Sequence, residues 1–225
     1  FSGITPISRA VTNVVSISAG YYYNLALRSD GTVVGWGDND YGQAKGAPAS
    51  ATNLVAISAG YRHSLGLRSD GTVVGWGDNY FGQANGAAAG LDIIAIAAGY
   101  DDFSLALCAD GSVVAWGAGW NGVTDVPVSA TNAVSIRAGA YHGLALRADG
   151  KVVGWGSNWD GKATGVPGGP SGLVQINGQV LDNVVAIEAG DSSSLAIKSD
   201  GSLVSWPGGT LAGNHVAISA KSHSM

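Results

Sequence analysis

At 225 residues, 46% of them hydrophobic and only 12% charged, the chain is long enough to bury a sizeable core. Its 36 glycines, with abundant Val, Ile, Ser and Thr, point to an all-β protein rich in tight turns. The net charge of −5 without any concentration of Lys or Arg argues against nucleic acid as a partner, the single Cys108 excludes an internal disulfide framework or a cysteine zinc site, and no apolar run reaches the roughly 20 residues of a membrane-spanning helix.

From the N-terminus, the spacing predicts strand a over residues 14–18, an Ala19-Gly20-Tyr21 loop, strand b over 25–28, an Asp30-Gly31 turn, strand c over 32–36, a Gly37-Asp38-Asn39 loop and a weaker strand d near Gln43. Asp-Gly between β-formers is a strong hairpin signal, because glycine accepts the positive φ of the tight turn. Strand c, Thr32-Val33-Val34-Gly35-Trp36-Gly37, is apolar on both alternating faces, which suits a covered strand with Trp36 in the core.

This unit recurs. The Ala-Gly pair returns at Ala59-Gly60, Ala98-Gly99, Ala138-Gly139 and Ala189-Gly190, in steps of 40, 39, 40 and 51 residues. A sixth copy begins at Val216 and reaches Ala220. Trp36, Trp76, Trp116, Trp155 and Trp206 share one position, leaving Trp120 and Trp159 outside the register. About 40 residues and four short strands per repeat is the spacing of a β-propeller blade, and a solenoid, the rival, carries fewer strands per repeat. The expectation is a single all-β propeller domain over residues 1–225, with five full repeats and partial ones at both ends. Phe1 aligns with Tyr41 and Met225 with Leu25, so the chain reads as part of a longer propeller of six or seven blades. The longest step contains an insertion around residues 168–180, read as a surface loop, and Pro207-Gly208-Gly209 leaves the fifth blade three-stranded.

Chain direction puts the a-b and c-d loops of every blade on one face and the Asp-Gly turns on the other. The loops of that face differ most between repeats, and they mix Tyr and Trp with Asp, Asn and Ser. Contiguous aromatics contribute large contact area at low entropy cost, the chemistry of a binding surface. The candidate anchors are Tyr22, Tyr80, Trp120, Tyr141 and Trp159, with Asp40, Arg62 and Asp102 setting charge complementarity. His63, His142 and His223 share a position filled elsewhere by Tyr23 and Phe103, so they read as packed, hydrogen-bonded histidines rather than ligands. Asp30, Asp70, Asp110, Asp149 and Asp200 are turn residues, and Asp38-Asn39-Asp40 lacks the later ligands of a calcium loop. No cofactor or metal is implied.

The run from Val55 to Gln83 resembles the regulator-of-chromosome-condensation repeat, and the resemblance covers nearly the whole chain. Within that family, the run Trp-Gly-Asp-Asn-x-x-Gly-Gln at residues 36–43 and 76–83 is most similar to the short bacterial repeats of the propeller-type β-lactamase inhibitory proteins. The resemblance implies a propeller, a bacterial protein that is secreted or periplasmic, and target binding through aromatics of the a-b loop. The positions matching those aromatics are Tyr22, Arg62, Asp102, Tyr141 and Ser192. The leading expectation is therefore a non-enzymatic module that captures another protein. The alternative is a carbohydrate-binding propeller with a glycan as ligand, and a third reading is a hydrolase with an acidic site near Asp101 and Asp102.

Overall fold

The computed structural model describes residues 11–207; the sixth repeat, His223 and both chain ends lie outside them. Every strand pair whose register is described is antiparallel. The repeats form successive small sheets: β1 (Val14–Ala19), β2 (Tyr23–Arg28) and β3 (Val33–Gly37); β4 (Leu54–Ala59), β5 (His63–Arg68) and β6 (Val73–Gly77); β7 (Ile93–Ala98), β8 (Phe103–Cys108) and β9 (Val113–Gly117). These make up most of one compact unit. A second unit holds β10 (Ala133–Ala138), β11 (His142–Arg147), β12 (Val152–Gly156) and β13 (Gly172–Leu173) as one sheet, the hairpin β14 (Gln175–Ile176) and β15 (Gln179–Val180), and the three-stranded sheet of β16 (Val184–Ala189), β17 (Ser194–Lys198) and β18 (Leu203–Trp206).

Turn chemistry builds each blade as the Asp-Gly spacing predicts. Gly31 sits at φ 77°, and Asp30 Oδ1 accepts from the Thr32 amide at 3.0 Å and from Thr32 Oγ1 at 2.6 Å. Those bonds hold the Asp30 carboxyl below its ordinary range, as their equivalents do at Asp70 and Asp200. The turn also reaches forward: the Gly31 carbonyl accepts from the Leu54 amide of the next blade at 3.2 Å.

The Ala-Gly repeat has a steric cause. A Cβ on Gly20 would overlap the Tyr23 ring and crowd the Gly60 carbonyl; one on Gly60 would stand 2.7 Å from the Gly99 oxygen and 2.8 Å from His63 Cε1. Each glycine therefore lets the first ring of strand b lie over it while the next blade's backbone closes in. The tryptophan joins neighbours in the same way. Trp76 Nε1 donates to the Gln43 carbonyl at 2.8 Å, Trp116 Nε1 to that of Gln83 at 2.9 Å, and in the second unit Trp155 Nε1 to that of Val123 at 2.8 Å. Trp76, Trp155 and Trp206 are buried, whereas Trp36, expected in the core, is only half-buried. The Trp76 indole packs against the turn of the repeat before it, with Tyr23, Leu25 and Ala44, and Trp36 stands in the first of the described blades.

Two expectations are corrected in detail. The segment near Gln43 is a turn rather than a strand, because side chains take up its amides: Asn39 Oδ1 accepts from Ala44 and Lys45, and Gln43 Oε1 from Tyr41. The insertion is not merely a surface loop. It supplies β13 as the fourth strand of its blade, turns at Asn177-Gly178 with φ 52° and 78°, and buries Val174 beside Leu144, Leu181 and Trp206. The fifth repeat shows three strands within the described residues, which end at Pro207, so its outer edge lies outside them.

The histidines are packed and bonded. His63 Nε2 lies 3.0 Å from Ser104 Oγ, and His142 Nε2 lies 2.7 Å from Ser194 Oγ, each serine belonging to a following blade. Tyr23, at the same position, donates to the His63 carbonyl. Burial pushes both imidazoles down to about 4, helped at His142 by Lys162.

Two outcomes follow from this packing. Gly60→Ala is expected to cost about 1–3 kcal/mol, read by urea unfolding, since neither the ring nor the backbone opposite can withdraw freely. The histidines stay neutral in the fold down to about pH 4, whereas in the unfolded chain they take up protons from about pH 6.5. Their contribution is intact above about pH 6.5 and is lost as pH falls towards 4, by up to about 3 kcal/mol each. A His63→Phe, His142→Phe double variant is expected to flatten that part of the stability profile.

Candidate functional site

In the first four described blades the two loops meet at one end because short hydrogen bonds tie them. The Gly20 amide donates to the Tyr23 carbonyl at 2.9 Å, which leaves Tyr21 and Tyr22 at the hairpin tip, and the Asp38 amide donates to the Tyr22 carbonyl at 2.8 Å. The same bond recurs from Asp78 to Arg62 at 2.8 Å, from Ala118 to Asp102 at 2.9 Å and from Ser157 to Tyr141 at 2.7 Å. Between blades, the Tyr21 amide reaches the Gly60 carbonyl at 3.3 Å.

In the first unit these constraints assemble an aromatic cluster. The ring centroids of Tyr21 and Tyr61 lie 4.7 Å apart, those of Tyr21 and Tyr100 5.9 Å, and those of Tyr61 and Tyr100 6.4 Å. Tyr22 extends the group, its ring 4.0 Å from that of Tyr21 and its hydroxyl donating to the Tyr21 hydroxyl at 3.1 Å. Arg62 projects beside it, with Cζ 4.7 Å from the centroid of Tyr41 and 4.7 Å from that of Tyr61. Such tilted and edge contacts are favourable ring geometries, and a guanidinium over two faces is held by both. Tyr21, Tyr22, Tyr41 and Tyr100 remain exposed.

Acidic groups edge this cluster. Asp102, at φ 54°, accepts from Gln83 Nε2 at 3.2 Å. Burial, with the like charges of Asp78 and Asp101, raises its carboxyl above the ordinary range, against the opposing pull of Gln83 and Arg62. Burial also raises Asp101, whose Oδ2 is buried without a hydrogen-bond partner.

Of the residues expected from sequence, Tyr22, Arg62 and Asp102 stand in or against this cluster. Asp40 is exposed at a loop tip, its amide bonded to Asp38 Oδ1 at 3.1 Å, and Tyr80 is 84% exposed with its ring edge-on to Phe81 at 4.8 Å. Trp120, Tyr141 and Trp159 belong to the second unit. Trp120 opens the 3₁₀ turn Trp120–Gly122, Tyr141 has Lys162 Nζ 5.5 Å from its ring, and Trp159 is 77% exposed. Tyr21, Tyr41, Tyr61 and Tyr100 were not among the expected anchors. The signal for three of them was present, a Tyr directly after Ala-Gly in three successive repeats. The oxygens of Asp38 and Asn39 serve turn amides, and among the described residues no group of three or more His, Cys, Asp or Glu is placed to hold a metal ion. Nor is any helix there long and apolar enough to cross a membrane.

The sequence profile of the regulator of chromosome condensation (RCC1) repeat matches residues 14–43, 54–83, 93–122 and 133–161. Among solved structures, Prp20p of Saccharomyces cerevisiae, described with its binding properties to Gsp1p and histones, is 26% identical with a TM-score of 0.66, over 85% of this chain and 56% of that one. The ectodomain of the Physcomitrella patens receptor kinase CR4 is 26% identical with a TM-score of 0.67, over 86% of this chain and 52% of that one. Human WBSCR16, 22% identical with a TM-score of 0.70 over 89% of this chain and 64% of that one, shares the fold. The chain thus spans between half and two thirds of these proteins, and no curated protein matches it.

The stacked arginine is testable alone. In a double-mutant cycle of Arg62→Ala with Tyr41→Leu, the coupling energy from urea unfolding is expected at about 0.5–1 kcal/mol, the size of an exposed cation–π contact.

Proposed function

The chain belongs to the regulator of chromosome condensation repeat family, and from that premise we propose that it is a non-enzymatic module that binds another protein through its a-b and c-d loops. The observation that carries this reading is the convergence of Tyr21, Tyr61 and Tyr100, one from each of three successive blades, with rings 4.7–6.4 Å apart and Tyr21 and Tyr100 exposed. Rings already fixed against one another lose little entropy when a partner covers them, and tyrosine is enriched among the residues that dominate interface energetics. The relationship to yeast Prp20p, whose structure is described with Gsp1p and histone binding, supports a protein as ligand without naming which. Highly exposed rings such as Trp159 and Tyr80 also suit stacking on a sugar, so a glycan is the competing ligand.

The test passes protein extracts over the immobilised chain, purifies what is retained and measures its affinity. A Tyr21→Ala, Tyr61→Ala, Tyr100→Ala variant is expected to weaken binding by about 30-fold or more, as for loss of a central aromatic hot spot. An Asp30→Asn, Asp70→Asn variant on the opposite face is expected to leave it unchanged. Equal binding by the tyrosine variant, or retention of oligosaccharides alone, overturns the reading.

A further inference from the structure

We propose that this surface receives an arginine side chain from a basic segment of the partner, stacked on the exposed tyrosine cluster with its guanidinium on the carboxylates of Asp101 and Asp102. The proposal rests on the protein-binding reading above and specifies the partner's chemistry.

Charge selects the occupant. Among the described residues of the first unit, the a-b loops and the tips of the c-d loops carry Asp38, Asp40, Asp78, Asp101 and Asp102 beside the cation Arg62, with Lys45 further along the first c-d segment. Asp38 and Asp78 each hold a turn, accepting from the amides of Asp40 and Tyr80 at 3.1 Å. Asp101 and Asp102 differ. Among the described residues neither is in an ion pair, Asp102 has only Gln83 as donor, and Asp101 Oδ2 is buried with no donor. Both carboxyls lie above their ordinary range through burial, Asp102 also through like charge that Gln83 and Arg62 only partly offset, so an incoming cation favours their ionised form.

The protein also carries a template for the contact. Arg62 lies over Tyr41 and Tyr61 at 4.7 Å from each centroid. Tyr100, partly exposed with its ring 5.9 Å from that of Tyr21 and Asp101 as its chain neighbour, is where a second guanidinium would stack. Arginine fits better than lysine, because its plane stacks on a ring while its fork of N–H donors engages carboxylate oxygens.

The test titrates the isotopically labelled full chain by NMR with a peptide of alternating glycine and arginine, and with its lysine and citrulline counterparts. Citrulline keeps the shape and removes the charge. The arginine peptide is expected to shift the Tyr100, Asp101 and Asp102 amides and to bind more tightly than the lysine peptide. Binding is expected to fall by about tenfold or more with citrulline or with Asp101→Asn, Asp102→Asn, and to weaken as salt rises. Asparagine tolerates the left-handed backbone at position 102 and keeps the acceptor for Gln83, so this variant separates charge from folding. Equal binding of the citrulline peptide, indifference to the double variant, or shifts of the same amides by oligosaccharides alone overturns the proposal. If a retained protein depends on the tyrosines but not on Asp101 and Asp102, the arginine site falls while the protein-binding surface stands.

Discussion

The structure depends on a missing side chain. Where strand a ends, glycine leaves space that the ring of Tyr23, His63, Phe103 or His142 fills, and at Gly20, Gly60 and Gly139 the carbonyl of the next blade's glycine approaches from the other side. One position thus joins strand b to strand a within a blade and one blade to the next. The serines, tyrosine hydroxyl and tryptophan N–H groups that satisfy buried polar atoms are spaced by that approach. A buried donor without a partner costs the desolvation of the group, and this makes the inter-blade bonds selective as well as adhesive.

The same constraint builds the surface. Because the glycine closes the hairpin so tightly, the next residue is thrown forward at the tip, and in three successive blades it is a tyrosine. Their proximity follows from blade spacing. The cluster lies on an acidic background broken by Arg62, which the tyrosines hold in place. Shape, exposed aromatic area and uncompensated charge coincide in one place, where neither turn geometry nor blade packing needs all of them.

Particular departures from the sequence reading have local causes. Asn177-Gly178 between short apolar stretches is a hairpin signal inside a segment treated as an insertion, and the alternation that buries Val174 is too short to stand out from its glycine-rich surroundings. Near Gln43, the Asn and Gln that read as a repeat signature are side-chain caps, and they favour a turn over a ladder. Trp36 obeys the repeat in sequence, yet an indole's burial is set by the neighbour it packs on rather than by its own blade.

The sequence by itself determined the blade. Asp-Gly turns, Ala-Gly strand ends, alternating apolar positions and the recurrent tryptophan are all local rules, and repetition makes them legible without any contact being known. It also determined which loops share a face, since antiparallel order decides that before packing begins. Only the tertiary structure decided which aromatics on that face meet. Tyr22, Arg62 and Asp102 were recognisable as loop residues, but the meeting of Tyr21, Tyr61 and Tyr100 depends on the angle and distance between blades, to which residues about 40 apart contribute jointly. The imbalance at Asp101 and Asp102 was likewise invisible in composition, because the energy of a carboxylate depends on what surrounds it and how much water it keeps.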